Sequence, residues 1–301
     1  MSSETPARVT IATLRPGQDV VGVFACTRKD RLMARSGSPY LALELRDASG
    51  SIAARVFRDA DVLGGRFERG DLVRVAGRVE RFRDQLQLEV RAIAKAEGEE
   101  ADPALFLPVA YRDLDELDGF LESLAGEVND PAFGALLGHL LSDAELRAQW
   151  RRAPCTRNGH HAYLGGLLEH TVAVGQLALE TCQLHPRLDP NLLLTAALVH
   201  DLGKTREFTY GAEIGLTDAG RLLGHVELGL RLLDERGDGI LDEARRVALA
   251  HCVLTHHGPQ SAPGGRFGSA EAIALYRLNA VDAAIKAAIE HGIAPAASIN
   301  P

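Results

Sequence analysis

The sequence has few of the residues that cross-link a fold or anchor it in a membrane. Among 301 residues there are four cysteines, and no two of them form a C-x-x-C pair. The four are Cys26, Cys155, Cys182 and Cys252. This scarcity argues against a disulfide framework and against a thiolate zinc site, and it fits a reducing compartment. No segment approaches the roughly 18 consecutive apolar residues of a membrane helix. Residues 1–10 also lack a basic stretch followed by an apolar run. We therefore expect a cytoplasmic protein that makes no contact with a membrane.

Positive charge is also scarce, but only in one part of the chain. The formal net charge is −8, which for a uniform chain would argue against nucleic acid as a partner. Residues 1–97 hold 17 Lys+Arg against 13 Asp+Glu, whereas residues 98–301 hold 16 against 28. The asymmetry suggests a basic module joined to an acidic one. A surplus of four basic residues is common, however, and decides nothing by itself.

The N-terminal third has the alternating pattern of β-strands. In residues 40–47, Leu41, Leu43 and Leu45 alternate with small or charged residues, as in a half-buried strand. Five such segments occur, and a short helix is predicted near Asp59 between the third and fourth. The set matches a Greek-key barrel of the OB type, although another five-stranded barrel would show the same periodicity.

The rest of the chain has the spacing of amphipathic helices. An acidic segment broken by Gly98, Pro103 and Pro108 separates it from the strands. We therefore predict a multidomain protein, with an all-β OB-fold barrel followed by an all-α helical bundle. The predicted limits are residues 1–97 for the barrel, 98–111 for a linker and 112–301 for the bundle.

Histidine is absent from the first 138 residues, and ten of the eleven histidines lie between His139 and His257. Several of these histidines lie on successive apolar helical segments. The ordered set is His170, His200 with Asp201, His225, His256 with His257, and Asp282. Imidazole and carboxylate groups where helices meet suit a divalent transition metal such as Mn, Fe, Co or Zn. A pair of such ions bridged by a carboxylate is the usual apparatus for cleaving phosphodiesters.

A lone histidine on an apolar helix face is more often a core residue than a ligand. We take that interpretation for His139, His185 and His291. The ordered set on successive helices is what favours a metal centre over a series of core histidines.

These motifs resemble the HD phosphohydrolase superfamily, and more narrowly the YhaM family of 3′→5′ exoribonucleases. Members of that family join an N-terminal OB-fold to a C-terminal HD domain. The resemblance covers nearly the whole chain. It lies in "HHAYLGGLLEHT" (160–171), "LVHDLGKTREF" (198–208), "LLGH" (222–225) and "AHCVLTHHG" (250–258), and in the barrel stretches 37–57 and 69–90.

The resemblance implies a metal-dependent exoribonuclease that hydrolyses single-stranded RNA, or single-stranded DNA, to nucleoside 5′-monophosphates. It implies two divalent ions, with manganese the first expectation and Co, Fe or Zn as alternatives. The implied ligands are His170, His200 and Asp201 for one ion, and His225 with His256 or His257 for the other, bridged by Asp201. Lys204 would be catalytic together with Asp201. We expect its ammonium group at the mouth of the site, holding a substrate phosphate.

The last motif departs from the family pattern. That pattern usually has the form D-x-x-D-A, whereas this chain has "NAVDA", with Asn279 in place of the first aspartate. Residues three apart share a helix face. We therefore predict Asp282 as the ligand, with Asn279 as a substitute through its side-chain oxygen.

Single strands bind OB-fold surfaces through basic grooves and stacked aromatic rings. The predicted contacts are Tyr40, Arg55, Arg78, Arg81, Phe82 and Arg83 on the barrel, and His160 and His161 ahead of the first ligand helix. The two adjacent histidines fit an ordinary loop equally well. Phe24 and Phe57 are candidates as well, but a position in the barrel core is favoured for both.

Two other classes of function stay open at this point. One is an HD phosphohydrolase acting on a small nucleotide, with the barrel as a regulatory module. The other is a non-catalytic protein that binds single-stranded nucleic acid, in which Asn279 marks a decayed site. An HD oxygenase with two iron ions is a more distant third, because it leaves Lys204 and the barrel unexplained. The sequence leaves the oligomeric state open and is compatible with a homo-oligomer.

Overall fold

The computed structural model describes residues 9–292, and they form two units. One unit contains the described residues up to Leu107 together with Tyr210–Gly215. The other contains Pro108–Thr209 and the described residues from Leu216 onward.

The segment predicted as a linker carries structure of its own. It contains 3₁₀ turns at Gly98–Ala101 and Pro103–Leu105. Phe106 is buried in a small cluster with Ala25 and Leu72 of the first unit. The chain therefore stays packed through Leu107, and the predicted limits at 97 and 112 remain a prediction.

The first unit is a closed five-stranded barrel, as the alternation of apolar residues predicted. The strands are β1 (Asp19–Met33), β2 (Pro39–Asp47), β3 (Gly50–Val56), β4 (Leu72–Phe82) and β5 (Gln85–Lys95). Their order around the barrel is β1-β2-β3-β5-β4, and only the β3–β5 pair is parallel. The predicted short helix is α1 (Ala60–Gly64), between β3 and β4. Leu41, Leu43 and Leu45 all face the interior, since alternate residues of a strand share a face.

The second unit is a bundle of helices. They are α2 (Leu114–Gly126), α3 (Pro131–Ser142), α4 (Ala144–Arg152), α5 (Gly166–Leu184), α6 (Pro190–Val199), α7 (Lys204–Glu207), α8 (Asp218–Gly237), α9 (Glu243–Thr255) and α10 (Ala270–His291). A short hairpin of β6 (Phe208–Tyr210) and β7 (Ile214–Leu216) follows α7. No sequence pattern predicted this hairpin, because three-residue strands are too short to show a period. Within residues 9–292 no helix combines the length and apolar character needed to cross a membrane.

Aspartate residues account for several of the helix starts. Five helices of the bundle follow an aspartate whose side chain accepts hydrogen bonds from backbone N–H groups of the first turn. These groups have no partner within the helix, so an aspartate cap stabilises each start by about 1 kcal/mol. Part of the acidic surplus of this half is therefore structural.

Helix α6 lies at the centre of the bundle and determines where the site forms. All residues from Leu192 to Val199 are buried, so the helix is surrounded on every side by its neighbours. It delivers His200 and Asp201 from its C-terminal end into the interior, where their exposed fractions are 0% and 2%.

Candidate metal centre

The side chain of Asp201 is surrounded by four imidazole rings, two at each carboxylate oxygen. The Nε2 atoms of His170 and His200 both lie 3.5 Å from Oδ2 of Asp201. The Nε2 atoms of His225 and His256 lie 3.4 and 3.5 Å from Oδ1. This arrangement matches the two predicted ligand groups, with Asp201 shared between them.

Each ring is held by its other nitrogen. Nδ1 of His170 lies 2.6 Å from the Asp282 carboxylate, and Nδ1 of His225 lies 3.4 Å from that of Glu207. Nδ1 of His200 donates to the Ala197 carbonyl at 2.8 Å, and Nδ1 of His256 to the Val253 carbonyl at 2.6 Å. Protonation at Nδ1 leaves the Nε2 lone pairs free, which is the tautomer that a metal ligand needs.

Two glycines allow His225 to reach the centre. A Cβ atom on Gly203 would lie 1.9 Å from the backbone oxygen of His225, so only glycine lets α8 approach the turn after Asp201 so closely. Gly224 has φ +72°, in the region that favours glycine, and it interrupts α8 just before His225. These positions explain the glycines in "HDLGK" and "LLGH".

The donor atoms fit a pair of divalent transition-metal ions. Among the described residues, Oδ1 of Asp201 and Nε2 of His256 are buried without a hydrogen-bond partner. Such groups are costly to bury unless they meet a partner, and a cation supplies one for both. The combination of imidazole nitrogen and carboxylate oxygen is suited to Mn, Fe, Co or Zn. Burial by itself raises the pKa of Asp201, but Lys204 and the imidazoles outweigh it and hold the pKa well below the usual value.

His257 lies at the rim of the second group. Its Nε2 is 3.0 Å from Nε2 of His225, and the residue is exposed. The donor atoms of His225, His256, His257 and Asp201 all lie within 4.8 Å of one another. His257 therefore adds a fourth donor to this group, in line with its predicted assisting role.

The expected position of Lys204 at the mouth of the site is wrong. The residue is 5% exposed, and its Nζ lies 2.6 Å from Oδ2 of Asp201. It also donates to Sγ of Cys155 at 3.3 Å. Lys204 is the first residue of α7, three positions after Asp201, and this short turn directs its side chain back toward the carboxylate. The ammonium group therefore compensates a buried charge.

Cys155 belongs to the same cluster, although no sequence pattern indicated this. Its Sγ lies 3.7 Å from Oδ2 of Asp201, and burial raises the pKa of its thiol to about 12. A single cysteine on an irregular segment has no periodicity or partner motif that would indicate its place. Only the folded chain brings it next to Lys204.

Asp282 and Asn279 both face the site from α10, but on different sides of the ligand rings. Asp282 contacts Nδ1 of His170, whereas Nε2 is the nitrogen that faces Asp201. Asn279 is 6% exposed, and its amide donates to the backbone oxygen of His256 at 3.3 Å. The prediction of Asp282 as a ligand stays untested. The geometry favours a role for it behind His170, with Asn279 supporting the turn that carries His256.

The adjacent residues His160 and His161 have different surroundings in the structure. His160 is half-buried, its Nδ1 has no hydrogen-bond partner among the described residues, and its ring centroid lies 5.4 Å from that of His170. Burial, followed by neighbouring charges, lowers the pKa of His160 to about 4. His161 is 1% exposed and contacts Asp282 instead. The predicted substrate contact by His161 is therefore wrong, since its ring is enclosed and both nitrogens have partners.

The aromatic residues of the barrel also divide into two kinds. Phe24 is fully buried, as expected, but Phe57 is 51% exposed, so its assignment to the core is wrong. Phe57 lies just beyond the end of β3, where the alternation no longer constrains it. Its ring stacks obliquely on Tyr40, with centroids 5.6 Å apart and an interplanar angle of 32°.

The predicted basic residues of the barrel lie at its surface. Arg83 stacks over the 57% exposed ring of Phe82, with its guanidinium carbon 5.3 Å from the centroid. Arg81 is exposed beside them, on the β4–β5 hairpin. Arg78 is exposed and lies 3.9 Å from Asp19, whereas Arg55 is half-buried and donates to the Ala54 carbonyl.

Barrel and metal centre together define the class of protein. Residues 22–96 match the family model described as OB-fold nucleic acid binding domain, and residues 167–287 match the HD domain. The chain thus joins an N-terminal OB-fold barrel to a helical HD domain. It is similar to the 3′-5′ exoribonuclease YhaM of Bacillus velezensis, with 29% identity over 244 residues. The match covers 80% of this chain and 77% of that protein.

Two solved structures resemble part of this chain. The second OB-fold domain of replication protein A from Methanococcus maripaludis is 21% identical, covering 31% of this chain and 97% of that one, with a TM-score of 0.26. A small single-stranded DNA-binding protein from Streptomyces coelicolor is 18% identical, covering 28% of this chain and 99% of that one, with a TM-score of 0.24. At these scores the likenesses carry no conclusion about what this barrel binds.

Proposed function

We propose that this protein is a metal-dependent exoribonuclease that shortens single-stranded RNA from its 3′ end. The observation that carries the proposal is the position of Asp201, whose two oxygens each face two imidazole Nε2 atoms at 3.4 to 3.5 Å. The similarity to a 3′-5′ exoribonuclease over 80% of the chain supports the substrate and the direction.

The reaction is hydrolysis of the last phosphodiester bond. Water adds to phosphorus and the P–O3′ bond breaks, so the terminal nucleoside leaves with its 5′-phosphate. The shortened strand keeps a 3′-hydroxyl group. Two bound ions, which we propose to be manganese, would activate the water and neutralise charge that develops on the phosphate.

The residues of the chain hold this apparatus in place. Asp201 provides one oxygen to each group of imidazoles, and the contacts at Nδ1 keep the four rings in the required tautomer. Lys204 keeps the buried carboxylate ionised. His160 has an unpartnered Nδ1 and a neutral ring at neutral pH, and we propose that it contacts the scissile phosphate.

The barrel would bind the strand through exposed rings and arginines. Tyr40 with Phe57 forms one stacking platform, and Phe82 with Arg83 forms another. Stacking of this kind tolerates any base, because every base presents a flat face. The same surface would accept single-stranded DNA, so the barrel alone does not select RNA.

The activity test uses the full chain, stripped of metal with a chelator, and 5′-labelled single-stranded RNA with or without added manganese. We expect a ladder that shortens from the 3′ end, only with manganese and only in the wild type. The matched control is a double variant, His200→Ala with Asp201→Ala, which removes ligands from both groups. A strand that is bound but stays intact under every condition would overturn the proposal in favour of a binding protein. Turnover of mononucleotides alone would favour a small-nucleotide hydrolase.

The stacking platform has a separate test. Phe57→Ala is expected to weaken binding of single-stranded RNA by about 5- to 150-fold, since each stacked base contributes about 1–3 kcal/mol. The control is Tyr111→Ala, which removes a fully exposed ring outside the barrel and is expected to leave affinity unchanged. Fluorescence anisotropy at fixed salt measures both. Equal affinity of Phe57→Ala and the wild type would show that this platform does not contact the strand.

A further inference from the structure

We propose that His161 is a positioning residue for the ion held by His170 and His200, because it fixes the carboxylate that orients the ring of His170. This inference rests on the proposed function and deepens it. Nε2 of His161 lies 3.0 Å from Oδ2 of Asp282, and the same oxygen lies 2.6 Å from Nδ1 of His170. Asp282 is thus held between two rings, of which only one faces Asp201.

The backbone at His161 is confined to a conformation that L residues rarely adopt. Its φ is +51°, which costs about 1 kcal/mol for a residue with a side chain. Its backbone N–H donates to Oε2 of Glu290 at 3.0 Å. A Cβ atom on Gly166 would lie 2.2 Å from the backbone oxygen of His161, so this turn lies directly against the start of α5. Such strain persists where the surroundings fix the residue, and here they fix it behind the metal centre.

The directions of the hydrogen bonds show that both ring nitrogens of His161 are donors. The hydroxyl of Tyr163 donates its proton to Oε2 of Glu169 at 2.7 Å. Nδ1 of His161, 2.9 Å from the Tyr163 oxygen, must therefore be a donor, and Nε2 must donate to the carboxylate of Asp282. A ring that donates from both nitrogens is an imidazolium.

The hydrogen bond from Nε2 of His161 to Asp282 has consequences for His170. It fixes the orientation of the Asp282 carboxylate, and a carboxylate can only accept, so Nδ1 of His170 must be the protonated nitrogen. Nε2 of His170 then keeps its lone pair on the side of Asp201. Loss of an outer partner of this kind costs about 10- to 100-fold in metal affinity.

The second ligand group provides an internal comparison. The rings of His225 and His256 are held by Glu207 and by the Val253 carbonyl, neither of which contacts His161 in the structure as described. A change at His161 should therefore affect one ion and spare the other. A general loss of stability would weaken both.

The test is a titration of the full-length, chelator-treated protein with Mn²⁺ alone, followed by calorimetry and by electron paramagnetic resonance of the free ion. For His161→Gln we expect one of two binding steps to weaken by about 10- to 100-fold, with the other unchanged within about threefold. The control is His139→Gln on α3. This histidine is exposed, so its assignment to the core is wrong, and its replacement is expected to leave both steps unchanged. Equal weakening of both steps, or of neither, would overturn the inference.

A second variant keeps the inference testable if His161→Gln does not fold. Tyr163→Phe removes only the hydroxyl group that accepts from Nδ1 of His161 and donates to Glu169. A smaller weakening of the same step is expected, and an unchanged isotherm would contradict it. Because manganese binding is measured without RNA, the two proposals can fail separately. A wild type that binds manganese in two steps but cuts no RNA would sink the exoribonuclease, and the role of His161 would still be decided by the variants.

Discussion

Replacing Asp201 by Asn is expected to slow the shortening of RNA by about a thousandfold or more. Asp201 faces both ligand groups, so the amide lowers the affinity for two ions at once. Metal ions contribute several kcal/mol to stabilising the transition state of such reactions, and each 1.36 kcal/mol corresponds to a tenfold change in rate. The rate is measured from the 3′-shortening ladder at saturating manganese, and the bound manganese is counted in parallel.

His225→Gln is the matched comparison, because it removes a ligand from one group only. We expect it to lower bound manganese by one ion per chain, whereas Asp201→Asn lowers it by two. Thermal unfolding of both variants in chelator checks that the fold survives. If Asp201→Asn kept its manganese and cut RNA within tenfold of the wild-type rate, Asp201 would not be the shared ligand.

Lys204→Met is expected to lower the free energy of unfolding of the metal-free, chelator-treated protein by about 3–5 kcal/mol. This corresponds to a fall in Tm on the order of 10 °C. Lys204 and Asp201 are 5% and 2% exposed, and removal of one partner leaves the other as an uncompensated buried charge. Saturating manganese should remove most of the difference, because the ions then neutralise the carboxylate. The measurement is thermal unfolding of wild type and variant, with and without manganese.

The control for this prediction is Lys95→Met. Lys95 is 59% exposed at its side chain and pairs with Asp71 at the surface of the barrel, so its loss should change stability by less than about 1 kcal/mol. If the metal-free Lys204→Met protein unfolded at the same temperature as the wild type, Lys204 would not compensate the charge of Asp201.

Most of the barrel and of the cluster of histidines around Asp201 could be predicted from the sequence, because both depend on local patterns. The alternation around Leu41, Leu43 and Leu45 predicted a strand with a buried face, and β2 has that face in the barrel. Apolar helical segments ending in His200 and in His256 indicated where the ligands would come from. The sequence missed the hairpin of β6 and β7, which is too short to have a period.

The residues that contact Nδ1 of the histidine rings could not be predicted. Helix periodicity shows which face of a helix a histidine lies on, but not which residue each of its ring nitrogens contacts. Asp282 and Asn279 share a face of α10, and their separate roles depend on which atom of a histidine each one meets. Glu207 lies in the motif of residues 198–208, but its contact with His225 could not be predicted. The contact forms because α8 packs against Gly203.

By itself, then, the amino-acid sequence determined that a basic β-barrel precedes an acidic helical bundle, and that His170, His200, Asp201, His225 and His256 gather in the bundle. These properties follow from side-chain chemistry and spacing along the chain. The tertiary structure alone decided that Lys204 is enclosed against Asp201, that His161 lies behind His170, and that Phe57 is exposed. Each depends on close approach of segments far apart in sequence, and burial and partners are properties of that approach.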